Sequence, residues 1–303
     1  LCLFAVFYQN YVNFPVFSGL AVQKRLQVHY ISAKLRQIEK EKNMRIFYCG
    51  DVVARAGRDV VLENIKNIRE QYKIDVMLVN VENAAHGFGV TPGICRDFLE
   101  KGADVLVLGN HFLNRREIAP FLEECKTIVR PANIPEGNVG RGFTTYELVD
   151  GRKILVIQVL GRLFMEAVDW PLQTIDKILQ TNSLGRQVQA VFVDIHAEAT
   201  SEKLALGYYL DGKVSCVAGT HTHVPTADAR VLPKGTAYIT DVGMCGDYNS
   251  VLGFDVQAPI NRLKRHYVDD RLTPANGKGT LFGIFVETDD KTGLAKEIKQ
   301  IKI

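Results

Sequence analysis

Two histidines stand one residue apart in the segment VAGTHTHV, which spans residues 217–224 and opens with an apolar run. They are His221 and His223, two of the seven histidines in the 303-residue chain. On a turn that leaves a strand, imidazoles at positions i and i+2 can be directed at one point, and neutral imidazole is a common metal ligand. The segment therefore predicts a metal site if other parts of the chain supply further ligands.

Polar residues with ligand chemistry also follow four other apolar runs. They are Asp51 after RIFYCG, Glu82 and Asn83 after DVMLVNV, Asn110 and His111 after ADVLVLG, and His196 after VFVDI. In open α/β sheets, functional sites lie beyond the carboxyl ends of the strands. We therefore expect these carboxylate, amide and imidazole groups to meet at one edge.

The mixture of ligand types favours transition metals. Carboxylate together with imidazole suits Zn, Mn or Fe better than Mg or Ca, which prefer oxygen ligands alone. The carboxylate of Glu82 could bridge two ions, and Asn110 could contribute its amide oxygen. Two metals about 3.5–4 Å apart can activate water and clamp a phosphoryl group, so the pattern favours metal-assisted hydrolysis.

The elements that must position these residues alternate between strand and helix from Met44 onward. The apolar spacing predicts strands at 45–50, 75–83 and 103–111, separated by helices at 57–72 and 91–102. The second helix has a Thr-Pro start and ends on Gly102, as helix boundaries often do. This order implies right-handed crossovers and a mostly parallel sheet.

The second half of the chain departs from this simple alternation. Its pattern predicts a Pro/Gly loop at 130–142 and then a hairpin over 143–161 that turns at Asp150-Gly151. A helix at 172–181 follows, and then a strand from 189 that runs into a polar loop through 203. The remaining elements are strands within 213–224 and 235–243 and a closing hairpin at 279–303. No linker or repeat divides residues 44–303. We therefore expect one domain built on two sheets.

Composition bounds the classes of function. The net charge of +3 is weak, and no long basic run alternates with aromatic residues, which argues against a protein that wraps nucleic acid. The six cysteines form no CxxC pair and favour a reducing, cytoplasmic compartment. The chain contains neither GxxxxGK[ST] nor GxSxG, which disfavours a P-loop NTPase and a serine-elbow hydrolase.

Residues 1–43 differ from the rest of the chain. They carry no charge through Gln23 and are then basic and helix-prone. About 20 apolar residues can span a bilayer, so a membrane anchor is one interpretation, although polar residues and a proline interrupt the run. The other interpretation, which we favour, is upstream sequence included by a misplaced start, with Met44 as the natural first residue. We expect residues 1–43 to lie outside the catalytic fold.

Six motifs along residues 44–303 resemble one known family. They read GDVVARAGR, VENAAHG, LGNH, VRPANIPEG, DIHAEATSEKLALG and GTHTHVPTADARVLPKGTAYITDVGM. The order of these motifs is similar to that in the calcineurin-like metallophosphoesterases. Their amino-acid sequences resemble those of the YmdB-like branch. The resemblance implies an α/β sandwich of two mixed sheets flanked by helices, a dinuclear metal centre, and phosphodiesterase activity toward 2′,3′-cyclic nucleotides.

The resemblance also implies roles for individual residues. Asp51, Asn83 and His223 would hold one metal, Asn110, His196 and His221 the other, Glu82 would bridge them, and His111 would donate a proton to the leaving oxygen. The chain departs from the branch at Leu113 and Asn114, where Trp and Asp are common, and within residues 243–253. Both departures are expected to line the substrate mouth.

Three acidic residues near His196 and one further histidine could be mistaken for ligands. We expect Asp194 to face away from the site, and Glu198 and Glu202 to be solvated or to support the ligands from behind. We expect His86 to be a loop residue.

Two rival functions remain open from the residues. A metal-dependent amidohydrolase also uses a His-x-His pair, but there the pair comes early, after the first barrel strand, whereas here it comes late. A metal-binding regulatory or RNA-associated protein with little turnover would keep the same ligands. We expect a small cyclic nucleotide or other phosphodiester as the partner, with RNA ends as a further substrate, no stable membrane partner, and room for an oligomer.

Overall fold

The computed structural model describes residues 43–264 and 270–303. The predicted N-terminal extension, residues 1–43, lies outside the described residues except for Asn43. Asn43 is the first residue of the first strand. Within the described ranges, no helix is both long and apolar enough to cross a membrane.

The first sheet has six strands and carries the first three ligand segments. Its strands are β1 (Asn43–Cys49), β3 (Val76–Asn80), β4 (Val105–Val107), β5 (Ile128–Val129), β14 (Phe282–Asp289) and β15 (Ala295–Lys302), in the order β15-β14-β1-β3-β4-β5. Strands β1, β3, β4 and β5 are parallel, whereas β14 and β15 form an antiparallel hairpin beside β1. The sheet is therefore mixed, as predicted.

The second sheet also has six strands and carries His196 and the His-x-His pair. Its strands are β6 (Phe143–Glu147), β7 (Lys153–Leu160), β8 (Ala190–His196), β9 (Cys216–Thr220), β10 (Arg230–Val231) and β11 (Ala237–Ile239), in the order β10-β11-β9-β8-β7-β6. Strands β7, β8, β9 and β11 are parallel, and the two edge strands are antiparallel to their neighbours.

Helices and a small third sheet complete the fold. The helices are α1 (Ala54–Tyr72), α2 (Pro92–Lys101), α3 (Ala119–Glu124), α4 (Pro171–Thr181), α5 (Thr200–Leu210) and α6 (Gln257–Lys264). Short strands β2 (Asp51–Val52), β12 (Met244–Asp247) and β13 (Gly279–Thr280) pair in the order β13-β12-β2. Strand β2 thereby fixes the backbone of the first predicted ligand.

The two large sheets pack face to face over an apolar layer. Ile46 and Leu78 of the first sheet lie in one buried cluster with Val156, Phe192 and Ala218 of the second. Tyr48 and Phe192 meet edge to face across the layer, with 4.9 Å between ring centroids. Alternate residues of the strands face helices on the outside, because strand side chains alternate between faces.

The predicted elements are present, with shorter strands and three unpredicted helices, α3, α5 and α6. Strand β3 ends at Asn80 and β4 at Val107, so the polar residues that follow both strands lie in loops. Helix α2 begins after Thr91, whose hydroxyl accepts the Ile94 N–H. The polar loop predicted after β8 is wrong beyond residue 199, because helix α5 begins at Thr200. The described strands form open sheets, which rules out a barrel of the amidohydrolase type.

Candidate metal centre

Four strand ends bring predicted ligands to one place between the two sheets. Glu82 follows β3, Asn110 follows β4, His196 closes β8, and His221 follows β9. Ligand atoms of Glu82, His196 and His221 all lie within 4.8 Å of one another. The sequence prediction that separate strands deliver their groups to a common edge is confirmed for these residues.

Three side chains converge most closely, and we call Asn110, His196 and His221 the His196 half-site. Nε2 of His196 lies 3.0 Å from Oδ1 of Asn110 and 3.2 Å from Nδ1 of His221. It also lies 3.0 Å from Oε1 of Glu82. Each of these four atoms, on His196, Asn110, His221 and Glu82, can present a lone pair. A cation placed among them could therefore accept all four as ligands.

Three other residues, Asp51, Asn83 and His223, form what we call the His223 half-site. The protein scaffold holds each of them separately. Asp51 Oδ2 accepts the His221 N–H at 3.0 Å, and Asn83 Nδ2 donates to the carbonyl of Gly87 at 2.9 Å. His223 Nδ1 lies 3.1 Å from the carbonyl oxygen of Leu252, which can only accept, so Nε2 keeps its lone pair.

Two buried oxygens of the His223 half-site have no hydrogen-bond partner among the described residues. They are Oδ1 of Asp51 and Oδ1 of Asn83, on side chains that are almost completely buried. An unpartnered buried acceptor is costly, and native proteins nearly always satisfy such groups. Both atoms are hard oxygen ligands, so the donor set fits a metal ion in this half-site as well.

Glu82 lies beside the His196 half-site and is held from two sides. Its Oε1 faces His196, and its Oε2 accepts the backbone N–H of His111 at 3.4 Å. Burial raises the pKa of Glu82, but the charge and hydrogen bond of His196, together with the neighbouring His111 and His221, outweigh burial and lower the pKa to about 2. The carboxylate is therefore ionised.

A glycine makes this approach of the β4 loop to Glu82 sterically feasible. A Cβ at Gly109 would overlap Glu82 Oε2 and would lie 2.7 Å from His196 Cε1. No side chain fits in that space, so the glycine of LGNH keeps open the volume between the ligands.

The backbone of the His-x-His loop adopts an unusual conformation. His221 has φ 93° and His223 has φ 64°, a region that residues other than glycine rarely occupy. Asp241 supports the loop from below, because one of its carboxylate oxygens accepts both the N–H and the hydroxyl of Thr222. The same oxygen accepts a hydrogen bond from the fully buried Lys203 at 2.8 Å. The surrounding contacts therefore maintain the strain at the ligands.

The electrostatics of the metal-free site differ between its histidines. Burial lowers the pKa of His196, but the carboxylates of Glu82, Asp51 and Asp194 together outweigh burial and raise the pKa to about 9. Burial and the neighbouring charge of His196 lower the pKa of His221 to about 3. Burial also lowers the pKa of His223 and raises that of Asp51. A proton on His196 thus takes the place of a cation beside Glu82.

His111 lies next to the centre without joining either half-site. Its ring is half-buried and meets Phe88 edge to face, with 5.1 Å between centroids, and Phe88 stacks in turn on Phe254. Nδ2 of Asn114 lies 3.1 Å from Nδ1 of His111. One of the two departures from the branch therefore touches the predicted proton donor.

The second departure, residues 243–253, contacts the other side of the centre. The carbonyl of Leu252 holds His223, and the hydroxyl of Tyr248 accepts the Met244 N–H at 3.1 Å. This segment therefore orients a predicted ligand, a role that the sequence did not indicate.

The expectation that Asp194 faces away from the site is wrong. Residues two apart in a strand share a face, so Asp194 and His196 lie on the same side of β8. Asp194 is fully buried and accepts a hydrogen bond from Thr220 at 2.6 Å. The spacing of the two residues was the signal that could have revealed this.

The other acidic neighbours lie where the sequence placed them. Glu198 Oε2 lies 3.4 Å from His221 Nε2 and is half-exposed. Glu202 accepts the backbone N–H of Arg162 at 2.9 Å and so holds the loop after β7. His86 is an exposed loop residue.

Sequence and structure comparisons relate the chain to known proteins over nearly all of the described range. Residues 47–301 match the family described as YmdB-like protein. A 2′,3′-cyclic-nucleotide 2′-phosphodiesterase of Bacillus subtilis (strain 168) is 46% identical over 260 residues, which are 86% of this chain and 97% of that protein.

Two solved structures have the same architecture. A hypothetical protein from Thermus thermophilus is 40% identical with a TM-score of 0.80, covering 86% of this chain and 99% of its own. A novel phosphatase from Mycoplasma pneumoniae is 32% identical with a TM-score of 0.81, covering 87% and 94%. The predicted fold class, a sandwich of two mixed sheets flanked by helices, is confirmed.

Proposed function

The chain belongs to the YmdB-like family, and from that premise we propose that it is a metal-dependent phosphodiesterase acting on 2′,3′-cyclic nucleotides. The activity is taken from the name of the Bacillus subtilis relative, which is 46% identical. Within this chain, the observation that carries the proposal is the convergence of Asn110, His221 and Glu82 on His196 Nε2, at 3.0 to 3.2 Å.

The ligand assignment follows the two half-sites. Asn110, His196 and His221 would hold one ion, Asp51, Asn83 and His223 the other, and Glu82 would bridge them. The buried oxygens Oδ1 of Asp51 and Oδ1 of Asn83 support the second ion, since they have no hydrogen-bond partner among the described residues. The mixed nitrogen and oxygen ligands suit Fe, Mn or Zn.

When bound, two such ions supply Lewis acidity and lower the pKa of a water molecule toward neutrality. The residues of the chain then control the geometry and the proton. Water loses a proton to solvent as its oxygen adds to phosphorus, and the bond from phosphorus to the ribose O2′ breaks. His111 donates a proton to O2′ and regains one from solvent. The product is a nucleoside 3′-phosphate, because only the 2′ ester is cleaved. The contacts of Phe88 and Asn114 keep the His111 ring beside the centre.

Three finer points belong to the same proposal. RNA ends that carry a 2′,3′-cyclic phosphate offer the same chemistry as a free nucleotide, so they are candidate substrates. The five cysteines of the described residues are unpaired, which favours a reducing, cytoplasmic compartment. The catalytic domain would begin at Met44, and an oligomer is compatible with it.

Turnover of 2′,3′-cyclic AMP with added Mn²⁺ tests the proposal. We expect release of adenosine 3′-phosphate that stops after EDTA treatment and returns with Mn²⁺. The matched control substrate is 3′,5′-cyclic AMP, which we expect to react far more slowly because its ring is less strained. If the protein binds metal but hydrolyses neither substrate, the metal-binding regulatory or RNA-associated function takes its place.

A further inference from the structure

A row of buried polar side chains lies directly behind His196, on the side away from the converging ligands. It consists of Gln158 on β7, Asp194 on β8 and Thr220 at the end of β9, all fully buried. The sheet register places Gln158 beside Asp194 and His196 beside Thr220. Three adjacent strands therefore hold the row in a fixed geometry.

With Asp194 ionised, the hydrogen atoms in this row have one consistent arrangement. Gln158 Nε2 donates to the carbonyl of Leu108 and, at 2.6 Å, to Oδ2 of Asp194. The hydroxyl of Thr220 donates its single hydrogen to Oδ1 of Asp194, also at 2.6 Å. Thr220 Oγ1 lies 2.9 Å from His196 Nδ1 and has no hydrogen left to give, so it accepts from the Nδ1–H.

We propose that Asp194 and Thr220 are positioning residues that fix the proton of His196 on Nδ1 and so reserve Nε2 for the metal. The inference rests on the proposed function, because it assigns a purpose to the lone pair on Nε2. Metal-bound histidines commonly donate their other ring N–H to a carboxylate, and here a threonine hydroxyl relays that contact.

Replacing Asp194 by asparagine reverses the relay without changing its shape. The amide oxygen must accept from Gln158, so the amide nitrogen faces Thr220 and donates to it. The Thr220 hydroxyl then turns and donates to His196 Nδ1. Neutral His196 consequently carries its proton on Nε2, where the metal should bind.

The experiment records long-range ¹⁵N–¹H spectra of the histidine rings in the full chain above about pH 9, where the His196 ring is neutral, with and without Zn²⁺. We expect metal-free parent protein to show a slowly exchanging proton on Nδ1 of His196, assigned by its loss in His196→Gln. In Asp194→Asn the Nδ1 proton should be absent from the neutral ring. The affinity for Zn²⁺, followed by the shift of the His196 ring signals, should fall about 10–100-fold.

Three further variants separate positioning from loss of fold. Thr220→Ser keeps the hydroxyl and should restore the parent tautomer and affinity, whereas Thr220→Val should lose affinity as Asp194→Asn does. Asp211→Asn is the matched control, because Asp211 is also buried but accepts from the Lys234 and Thr236 backbone and touches no ligand. It should leave the His196 spectrum unchanged.

A parent spectrum with the His196 proton on Nε2 and a bare Nδ1 would overturn the inference. Equal tautomers and equal Zn²⁺ affinities in the parent and Asp194→Asn would also overturn it. If the parent shows the Nδ1 proton but Zn²⁺ leaves the His196 signals unmoved, the relay is supported while the proposed function fails. The two failures are therefore distinguishable.

Discussion

The two half-sites of the candidate centre are built in different ways. In the His196 half-site the ligand atoms contact one another, with Nε2 of His196 at 3.0 to 3.2 Å from Asn110 and His221. In the His223 half-site each ligand instead contacts the scaffold through its non-ligating atom, as when His223 Nδ1 meets the carbonyl of Leu252. The ligand atoms of the His196 half-site thus converge on one point. The ligands of the His223 half-site are oriented by contacts with the surrounding protein.

This difference teaches how a protein can prepare a site for cations. Gathered lone pairs repel one another or trap a proton, so the His196 half-site is costly without metal. Oriented ligands with orphaned oxygens cost desolvation but do not repel one another. The half-sites should therefore respond differently to substitution and to pH.

The largest expected effect comes from removing the residue that both half-sites share. Glu82→Gln replaces the proposed bridging carboxylate by a neutral amide, which cannot hold two cations together. We expect the metal content to fall below one ion per chain, and activity to fall by about 10⁴-fold, since bound metals contribute several kcal/mol. Elemental analysis and turnover of 2′,3′-cyclic AMP measure both.

The matched control for Glu82→Gln is Glu63→Gln on the exposed face of α1, which should change neither quantity. Normal metal content in Glu82→Gln would show that the half-sites fill independently and that Glu82 does not bridge.

His111 belongs to neither half-site, so its loss should separate chemistry from metal binding. His111→Ala should keep its metal and lower kcat by about 10²–10⁴-fold for an alkoxide leaving group, the usual contribution of a positioned general acid. A nitrophenolate leaves without a proton, so the loss on a nitrophenyl phosphodiester should be much smaller. Equal losses on the two substrates with metal retained would mean that His111 stabilises phosphoryl charge instead.

The half-sites should differ in which group carries the competing proton. The pKa of His196 is raised to about 9, so below that pH a proton occupies the metal position. Affinity for Zn²⁺ at the His196 half-site should rise about tenfold per pH unit between roughly pH 7 and 9 and then level off. The pKa of His223 is lowered by burial, so His223 is already neutral at pH 7.

In the His223 half-site the competing proton would belong to the carboxyl of Asp51, whose pKa burial raises. Ring spectra during a pH titration report the two histidines directly. A His196 ring that is neutral at pH 7 in metal-free protein would contradict the predicted difference.

The smallest expected effect concerns stability without metal. Asn110→Ala removes one of the crowded acceptors and should change the free energy of unfolding in EDTA by less than about 0.5 kcal/mol. His223→Ala removes a buried ring and its hydrogen bond to Leu252 and should cost about 1–3 kcal/mol. Urea unfolding measures the free energy of unfolding of both variants. Equal losses of stability would contradict the proposed difference between the two half-sites.

The convergence of Glu82, His196 and His221 could be predicted from the sequence because sheet geometry gathers the ends of parallel strands. What lay behind the ligands could not. The polar residues through 203 indicate a loop after β8, whereas the structure begins helix α5 at Thr200 and buries Lys203 against Asp241. That pairing joins residues 38 positions apart, and periodicity within a window cannot reveal it.

The close approach of Gly109 to Glu82 could not be predicted from the sequence either. The glycine of LGNH resembles any turn residue until the structure places Glu82 Oε2 where a Cβ would lie. The face occupied by Asp194, in contrast, follows from the two-residue periodicity of a strand.

The position of the centre between the sheets has a consequence for kinetics. Asp51 and Asn110 come from the first half of the chain, whereas His196 and His223 come from the second, and they meet only after the two sheets have docked. A cation that needs both sets of ligands cannot assist an early folding nucleus. We expect the bound cation to slow unfolding while leaving the folding rate nearly unchanged. In a chevron plot, metal binding should lower the unfolding arm without changing the slope of either arm. Metal would then set how long a folded molecule survives, rather than how quickly it forms.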